Sequence, residues 1–515
     1  MSEEKGIVKN YLSGILRVAL VALLVAFQFL VIILLALWLN AYSVYMYLVI
    51  ELLSIIIMFA LLNDSRSPSY KLVWISVILV LPLSGHIMYA LWGKADSKKK
   101  LEREVHACLL RGEQFLSYQA EPVKEFTERY PTKSRMVRFL ESQHFPLFKN
   151  NQVEYCPTGE AAFEAIFRDI REAKRFILIN FFIVGEGALW DRMHQLLLEK
   201  LQQGVEVKFM YDDFGSAMRT HKEFRHRLEE EGFEIRIFNP IHKYAQKLYM
   251  NYRSHQKIVV IDGNIGYTGG MNLADEYVNL VQRFGHWKDN AVRICGEAVW
   301  GLTVVFLQMW EVCDRSRQVD YERYRPDAVF EKNRTYCQIV SDGPANNPSN
   351  PIEMLYRQII DYAKDYVYIT TPYLVLEESM RDTLILAAKS GIDVRLLTPG
   401  IPDKKSVKLL TEYNYGALLA AGVRIFEYTP GFLHAKTIIN EDCGMVGTVN
   451  MDYRSFYLHY ECGAFMCDRA VMQQIRLDLI QTMEASHEIT LAEWKNRPLL
   501  RKFTQYVLNV FATFM

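Results

Sequence analysis

Two short segments of the chain carry the same polar pair at the same spacing. His255 precedes Lys257 by two positions, and His434 precedes Lys436 by two positions. In an extended strand, residues i and i+2 lie on one face, so each histidine is expected to share a site with its lysine. One imidazole can attack phosphorus while a second transfers protons, and paired ammonium groups can neutralise charge in the transition state. The two pairs together indicate phosphodiester chemistry.

A second polar element follows each pair. It is a Gly-x-x-Asn sequence that ends at Asn272 in the first case and at Asn450 in the second. The two amides are predicted to join the lysines around the phosphate. A carboxylate on the far nitrogen of each histidine would fix its tautomer and raise its basicity. Glu276 and Glu461 are candidates to hydrogen-bond the histidine of the opposite motif, and a purely structural hydrogen bond is the alternative.

The segments that must position these residues also occur twice. Each half alternates helical apolar periods with short β-branched runs that begin just after a glycine, which is typical of mixed α/β units on a sheet. We therefore predict an α/β fold with two duplicated domains that share one site, at residues 153–343 and 344–515, joined by a linker at Pro344–Pro351. The repeated segments pair as Ile170–Lys174 with Ile360–Lys364, Phe176–Asn180 with Tyr366–Thr370, Gly204–Asp212 with Gly391–Pro399, and Gly232–Pro240 with Gly422–Pro430.

Apolar residues are concentrated at the start of the chain. Half of all residues are hydrophobic and 23% are charged, and residues 1–93 contain three long apolar stretches, at about 18–39, 41–62 and 72–92. About 20 apolar helical residues cross a bilayer core of ~30 Å. We predict an N-terminal transmembrane helical region, followed by a polar connector at residues 94–152.

The basic residues favour one orientation of these stretches. Basic clusters precede the first stretch and follow the second and the third, so a hairpin with a re-entrant third segment keeps every cluster inside. Pro82 and Gly85 favour a break in that third segment. The prediction is a multi-pass membrane protein with cytoplasmic catalytic halves, and three ordinary spans are the alternative. Residues 499–515 have helical apolar spacing and are predicted to form an amphipathic helix on lipid, a packed helix being the alternative.

The overall composition argues against other classes of protein. Lys plus Arg and Asp plus Glu both total 59, so no overall field attracts nucleic acid. The eight cysteines include no C-x-x-C pair, which argues against a zinc site and against a disulfide framework. We expect no metal, no cofactor and no nucleic-acid partner.

The motifs resemble those of the phospholipase D superfamily, whose members carry paired H-x-K-x4-D sequences. The closer resemblance is to the bacterial cardiolipin synthases, and it covers nearly the whole chain, including the N-terminal region from Arg66 to Gly93. The other segments that carry it are Tyr211–Ser216, Gly269–Tyr277, His286–Asp289, His434–Thr437 and Asn450–Phe456.

This resemblance implies a reaction at the bacterial cell membrane. Two phosphatidylglycerol molecules would give cardiolipin and glycerol by a ping-pong route. The resemblance implies that His255 is the nucleophile and His434 the general acid and base, and the residues by themselves leave the opposite order open. Gly270 and Thr448 would hold the phosphate together with the lysines and asparagines.

The acidic position of the family pattern is where this chain departs from it. Asp262 matches the pattern in the first motif, whereas the second motif has Glu441 with Asp442 beside it, and its asparagine comes one residue earlier. Asp262 and either Glu441 or Asp442 would orient the histidines. The alternatives to cardiolipin synthesis are a hydrolytic phospholipase D, a phosphatidyltransferase that uses another alcohol, a membrane-tethered nuclease and an inactive scaffold.

Overall fold

The chain divides into two units, Met1–Lys100 and Leu101–Met515, in a computed structural model of the protein. Parts of the first and second predicted membrane segments lie outside the residues that the structure describes. The described residues are 23–31, 33–34, 42–64, 68–93, 99–240, 251–344 and 349–514.

The described residues of the N-terminal unit form helices and the short turns that follow them. The third apolar segment is not one continuous helix, because the chain turns at residues 81–83, where Pro82 lacks the amide that an α-helix requires. Gly85 then approaches Val77 so closely that a Cβ at this position would lie 2.6 Å from the Val77 carbonyl oxygen. Among the described residues, none of the helices combines the length and the apolar character that a membrane crossing requires. The helices are α1 (Tyr42–Leu62), α2 (Pro68–Val80), α3 (Ser84–Met88) and a π-helix at Tyr89–Gly93.

The C-terminal unit repeats one α/β arrangement after a set of leading helices. The leading helices are α4 (Lys99–Glu113), α5 (Ala120–Arg129), a 3-10 helix at Pro131–Lys133 and α6 (Ser134–Ser142). The first half contains β1 (Asn151–Cys156), α7 (Gly159–Arg171), β2 (Phe176–Phe181), α8 (Ala188–Gln202), β3 (Glu206–Asp212), α9 (Asp213–Ser216), α10 (Phe224–Glu230), β4 (Glu234–Phe238), β5 (Arg253–Ser254), β6 (Ile258–Ile261), β7 (Ile265–Gly269), a 3-10 helix at Asp275–Val278, β8 (His286–Lys288), β9 (Ala291–Gly296), α11 (Val299–Cys313) and a 3-10 helix at Glu322–Tyr324.

The second half follows the same order and adds elements at its end. It contains β10 (Tyr336–Asp342), α12 (Pro351–Asp361), β11 (Tyr366–Thr370), α13 (Glu378–Lys389), β12 (Asp393–Pro399), α14 (Lys405–Ala420), β13 (Arg424–Tyr428), β14 (Gly431–Leu433), β15 (Thr437–Ile439), β16 (Cys443–Gly447), α15 (Tyr453–Tyr457), β17 (His459–Cys467), α16 (Arg469–Glu484), β18 (Ser486–Ile489), α17 (Leu491–Lys495), α18 (Leu499–Val510) and a 3-10 helix at Ala512–Phe514.

Each half is built on a mixed sheet. The first sheet has the order β1-β9-β7-β6-β2-β3-β4, and the second has the order β10-β17-β16-β15-β11-β12-β13-β18. Strands β2, β3 and β4 run parallel, as do β11, β12 and β13, whereas the hairpin strands beside them are antiparallel. The central strands β2 and β11 are buried along their whole length, which explains their continuous apolar sequences. The two halves therefore have the same mixed α/β architecture, in agreement with the repeat in the sequence.

Helix α11 lies in a core that the two sheets share. It is apolar on every side and buried from Val299 to Val312, as expected for a helix that protein surrounds completely. It packs against strands of the first sheet and against β10 of the second. Burial of this helix links the two halves into one hydrophobic core.

Candidate active site

The first histidine is held by a strand of the opposite half. Strand β5 pairs in parallel with the start of β17, and the amide of His255 donates to the carbonyl oxygen of Tyr460 at 2.9 Å. Nδ1 of His255 lies 2.9 Å from each carboxylate oxygen of Glu461, whose side chain is fully buried. Asp212 fixes the strand that leads to the histidine, because its carboxylate accepts from the amide of Ser254 at 3.0 Å.

The second histidine is held in the same way by the first half. Strand β14 pairs in parallel with β8, and the amide of His434 donates to the carbonyl oxygen of Lys288 at 2.7 Å. Nδ1 of His434 donates to Oδ2 of Asp289 at 2.7 Å, and this carboxylate is also fully buried. Each half therefore supplies the carboxylate behind the histidine of the other half.

Asp289 is a site residue whose role the sequence motifs did not predict. It is the counterpart of Glu461 in the register of the sheets. The first glycine of the Gly-x-x-Asn element pairs with Ala291 in the first half and with Gly463 in the second. Asp289 and Glu461 each lie two residues before that partner. Aligning the two halves at that element and counting along the next strand would have found it.

The bonds at Nδ1 leave the other ring nitrogen for a reacting group. Within the part of the chain that the structure describes, no group hydrogen-bonds Nε2 of His255 or of His434. A proton on Nδ1 that is donated to a carboxylate places the lone pair of a neutral imidazole on Nε2. Both rings are thereby set in the tautomer that can attack an electrophile or accept a proton.

The surroundings lower the pKa of both imidazoles. The pKa of His255 lies well below its usual 6.5 because the ring is buried and because Lys257 and Lys436 add positive charge nearby. Burial and Lys436 lower the pKa of His434 to about 4, although Asp289 acts in the opposite direction. The lysine of the second motif thus acts on the histidine of the first, so the two motifs form one electrostatic site.

The pKa values of the two carboxylates shift in opposite directions. Burial favours a raised pKa for Asp289, but His434 and Lys436 bring it below its usual value. Burial raises the pKa of Glu461 well above its usual value, and Lys257 offsets only part of this effect. The surroundings therefore favour the charged form of Asp289 more than that of Glu461.

Both lysines are buried beside the histidine of their own motif. The ammonium group of Lys257 donates to the carbonyl oxygen of His255, and that of Lys436 donates to the carbonyl oxygen of His434. Burial lowers the pKa of Lys257 to about 8 and that of Lys436 to about 7. A cation that has lost its hydration shell interacts strongly with an incoming phosphate, because the local dielectric is low.

Aromatic rings line the site. The ring centroid of Phe182 lies 5.0 Å from that of His255, and those of Tyr277 and Trp287 lie 5.4 and 5.3 Å from that of His434. Apolar walls of this kind limit the access of water to a reactive intermediate.

The acidic residues that end the two motifs do not contact the histidines, which corrects the prediction that they orient them. Asp262 accepts from the three backbone amides of residues 174–176 at 2.7–2.9 Å, and Glu441 accepts from the corresponding amide of Lys364 at 3.1 Å. The physical reason is distance, because seven residues of extended chain cover roughly 20 Å and place the acid at the far end of the strand. Both carboxylates stabilise the turn that precedes the central strand of their half.

The one-residue difference in motif spacing arises in the hairpin after each His-x-Lys strand. Three residues, 262–264, join β6 to β7, whereas a tighter turn with Glu441 and Asp442 at its tip joins β15 to β16. Asp442 is occupied by Arg469, whose Nε donates to it at 2.6 Å. Glu441 is therefore the counterpart of the acid in the first motif, and neither it nor Asp442 contacts His434.

Gly270 and Thr448 lie against the carboxylates behind the histidines, and their contact with a phosphate stays a prediction. A Cβ on Gly270 would lie 2.1 Å from Oδ1 of Asp289, and the Gly270 amide already donates to the carbonyl oxygen of Asn290 at 3.0 Å. The hydroxyl of Thr448 donates to Glu461. Gly270 thus leaves room for the carboxylate of Asp289, and Thr448 hydrogen-bonds the carboxylate of Glu461.

Glu276 is likewise not a partner of a histidine. Its carboxylate forms an ion pair with Arg219 at 2.6 Å, and Asp289 occupies the place predicted for it. Glu461, its counterpart in the prediction, does lie against the histidine of the opposite motif.

The two asparagines differ in their contacts. Asn272 accepts from a backbone amide at 3.0 Å and donates to the hydroxyl of Tyr277 at 2.7 Å, which leaves one N–H of its amide for a ligand. Oδ1 of Asn450 is buried without a hydrogen-bond partner among the described residues.

The sequence matches known families in both units of the chain. Residues 166–300 and 356–483 match the family described as "Cardiolipin synthase, PLD-like domain", with one match in each half. Residues 52–94 match the family described as "Phospholipase_D-nuclease N-terminal".

Several bacterial proteins are similar to this chain over most of its length. Cardiolipin synthase 1 of Staphylococcus aureus is 34% identical over 472 residues, which cover 89% of this chain and 94% of that protein. Cardiolipin synthase of Listeria welshimeri is 31% identical, with 90% of this chain and 98% of that protein covered. An uncharacterized protein of Streptococcus mutans is 35% identical, with 88% and 98% covered.

A solved structure has a similar fold. The crystal structure of phosphatidylserine synthase from Haemophilus influenzae Rd KW20 matches with a TM-score of 0.56 at 14% sequence identity, covering 74% of this chain and 98% of that one. Fold and site together place the protein in the phospholipase D superfamily. The chain belongs to the cardiolipin synthase family, whose PLD-like domain it carries twice.

Proposed function

We propose that this protein is a cardiolipin synthase that transfers a phosphatidyl group from one phosphatidylglycerol to another and releases glycerol. The observation that carries the proposal is the exchange of carboxylates between the halves, in which Glu461 lies behind His255 and Asp289 lies behind His434. This arrangement prepares two imidazoles in one site, each with Nε2 available, and two imidazoles are what a double displacement at phosphorus needs.

In the first step Nε2 of His255 attacks the phosphorus of phosphatidylglycerol. A P–N bond forms and the P–O bond to the terminal glycerol breaks. The leaving oxygen takes a proton from Nε2 of His434, whose protonated form is stabilised by the negative charge of the bound phosphodiester. Lys257 and Lys436 neutralise the charge on the non-bridging oxygens, and the free N–H of Asn272 is the proposed further donor to them. The products are a phosphatidyl-histidine and free glycerol.

The second step reverses the first with another alcohol. Nε2 of His434, now neutral, takes the proton from the terminal hydroxyl of a second phosphatidylglycerol. The new alkoxide attacks phosphorus, the P–N bond to His255 breaks, and cardiolipin leaves. His434 is protonated again, so the enzyme is ready for another cycle without any change in its own charge.

The difference between the two carboxylates supports this assignment of roles. The lowered pKa of Asp289 favours its charged form, and this negative charge stabilises an imidazolium at His434. A general acid must be protonated, so this stabilisation suits His434 to that role. The raised pKa of Glu461 disfavours its charged form, so Glu461 stabilises an imidazolium at His255 less. This favours the neutral, nucleophilic form of His255.

We further propose that the protein is a multi-pass protein of the bacterial cell membrane with cytoplasmic catalytic halves, at residues 153–343 and 344–515. Helix α1 supports membrane attachment, because several of its large apolar side chains, among them Leu52 and Phe59, are more than half exposed. In α18, Leu499 and Phe503 are also exposed and suit a helix that lies on lipid. Right-side-out vesicles treated with protease test the orientation: the C-terminus should stay intact, and its cleavage would contradict a cytoplasmic location.

A product assay tests the proposed reaction. The full chain is purified and incubated with phosphatidylglycerol liposomes, and lipids and free glycerol are measured for the wild type, His255→Ala and His434→Ala. We expect cardiolipin and glycerol in equal amounts from the wild type, and neither from the variants. Phosphatidic acid in place of cardiolipin would identify a hydrolase, and cardiolipin formation by either variant would refute the two-histidine mechanism.

A further inference from the structure

A third histidine lies beside the first catalytic one. His459 opens β17 two residues before Glu461, so both side chains lie on the same face of that strand. The ring centroids of His459 and His255 are 5.4 Å apart. All three side chains are buried, and one ligand atom from each lies within 4.8 Å of the others. Within the described ranges, this is the one group of three such residues that could hold a metal ion.

Two of the three separations between the ligand atoms are close to those around a tetrahedral metal. Bonds of about 2.0–2.1 Å to nitrogen and oxygen ligands place neighbouring donor atoms about 3.3 Å apart in a tetrahedron. Oε1 of Glu461 lies 2.9 Å from Nδ1 of His255 and 3.5 Å from Nδ1 of His459. Shifts of a few tenths of an ångström would bring these two separations to the tetrahedral value. The ligand atoms of the two histidines lie within 4.8 Å of each other and would have to come closer, and the fourth corner would be left for water.

An unpartnered nitrogen is the independent sign that a ligand belongs there. Nδ1 of His459 is buried and has no hydrogen-bond partner among the residues that the structure describes, although it lies 3.5 Å from the carboxylate of Glu461. A buried polar atom without a partner costs free energy unless a ligand or ion satisfies it. Coordination to a metal would satisfy it.

We propose that His255, His459 and Glu461 form an inhibitory site for a divalent transition metal of the Zn²⁺ type. Two imidazoles and one carboxylate are ligands that suit this ion, and a water molecule would be the fourth. The site is additional to the reaction, which uses none of the nitrogens of His459.

Metal binding would block the nucleophile through its tautomer. The ion takes the lone pair of Nδ1 of His255, so the proton that Nδ1 carries moves to Nε2. Nε2 then has no lone pair with which to attack phosphorus, and no net proton is gained or lost. Glu461 becomes a metal ligand at the same time and ceases to be the acceptor that holds the catalytic tautomer.

Two measurements on the full-length protein in detergent test the site. The first is direct binding without substrate: Co²⁺, a spectroscopic substitute for Zn²⁺, is titrated into the EDTA-treated protein, and the intense visible bands of four-coordinate Co²⁺ are recorded. The second is inhibition of cardiolipin formation by Zn²⁺ and its reversal by EDTA. The variant His459→Asn removes one ligand, and His226→Asn is the matched control, because His226 forms an exposed pair with Glu230 at 3.2 Å.

We expect the visible bands in the wild type and in His226→Asn, and their loss in His459→Asn. Basal activity of His459→Asn should stay close to that of the wild type, and half-inhibition should require at least about tenfold more Zn²⁺. Absence of the bands in the wild type, or equal Zn²⁺ sensitivity of the wild type and His459→Asn, would overturn the proposal. Only the effect on turnover rests on the proposed function. A chain that binds Co²⁺ through His459 but makes no cardiolipin would refute the function and leave the metal site standing.

Discussion

Replacing Asp289 by Asn isolates the contribution of one carboxylate to the reaction. The substitution keeps the shape of the side chain and removes the negative charge that accepts the hydrogen bond from Nδ1 of His434 at 2.7 Å. The amide that takes its place can present an NH₂ group to Nδ1, which would favour the tautomer with the proton on Nε2. The general acid loses both its charge stabilisation and its fixed tautomer.

The expected loss follows from the strength of a charged hydrogen bond. Such a bond contributes about 1.5–3 kcal/mol. Since about 1.4 kcal/mol corresponds to a factor of ten in rate, kcat should fall roughly 10- to 150-fold. KM for phosphatidylglycerol should change little, because Asp289 does not face the phosphate oxygens in the proposed mechanism. Loss of the negative charge also lowers the pKa of His434, so the alkaline limb of the pH–rate profile should move to lower pH.

The assay is cardiolipin formation in mixed micelles over a range of pH and of phosphatidylglycerol concentration. Asp382→Asn serves as the control, because the Asp382 side chain is 70% exposed and lies on α13. A kcat for Asp289→Asn within twofold of the control would refute the reasoning, and so would a loss that appears entirely in KM.

Three further predictions concern the residues around the histidines. Lys436 has a pKa of about 7 and loses its charge as the pH rises through that value, so KM for phosphatidylglycerol should rise between about pH 6 and 8. A KM independent of pH in steady-state kinetics would contradict this. Gly270→Ala should lower kcat at least about tenfold, because its Cβ would meet Asp289 at 2.1 Å, and wild-type kcat with unchanged melting would show that the carboxylate has room to move. Asp262→Ala should reduce the free energy of unfolding by about 1–3 kcal/mol, because three backbone amides lose their acceptor. The kcat per folded molecule should stay unchanged. A lower kcat with normal stability in denaturant titrations would instead indicate a catalytic role for Asp262.

Much of the site could be predicted from the sequence, because the two-residue period of a strand relates residues that are close in the chain. His255 and Lys257 share a strand face by the two-residue period, and a duplicated motif predicts a duplicated fold. The mixed α/β architecture with two similar halves is confirmed by the sheets and by the family match in each half. The strand face that each histidine shares with its lysine could therefore be predicted from sequence spacing alone.

The partners of the histidines could not be read in the same way. Asp289 reaches His434 only because β8 pairs with β14 of the other half, and such pairing joins residues 145 positions apart. Asp262 was misassigned because a motif that is continuous in sequence extends along a strand, away from the site. Local spacing gives direction along one element, whereas contacts between elements depend on register, which only the assembled fold determines.

Stereochemistry at phosphorus tests the central claim, a covalent histidine intermediate, most directly. Phosphatidylglycerol with a chiral phosphorothioate of known configuration is converted by the purified protein, and the configuration of the product is determined. Two successive in-line displacements, first by His255 and then by the acceptor hydroxyl, predict retention of configuration. Inversion would mean that the acceptor displaces glycerol directly, and it would contradict the account.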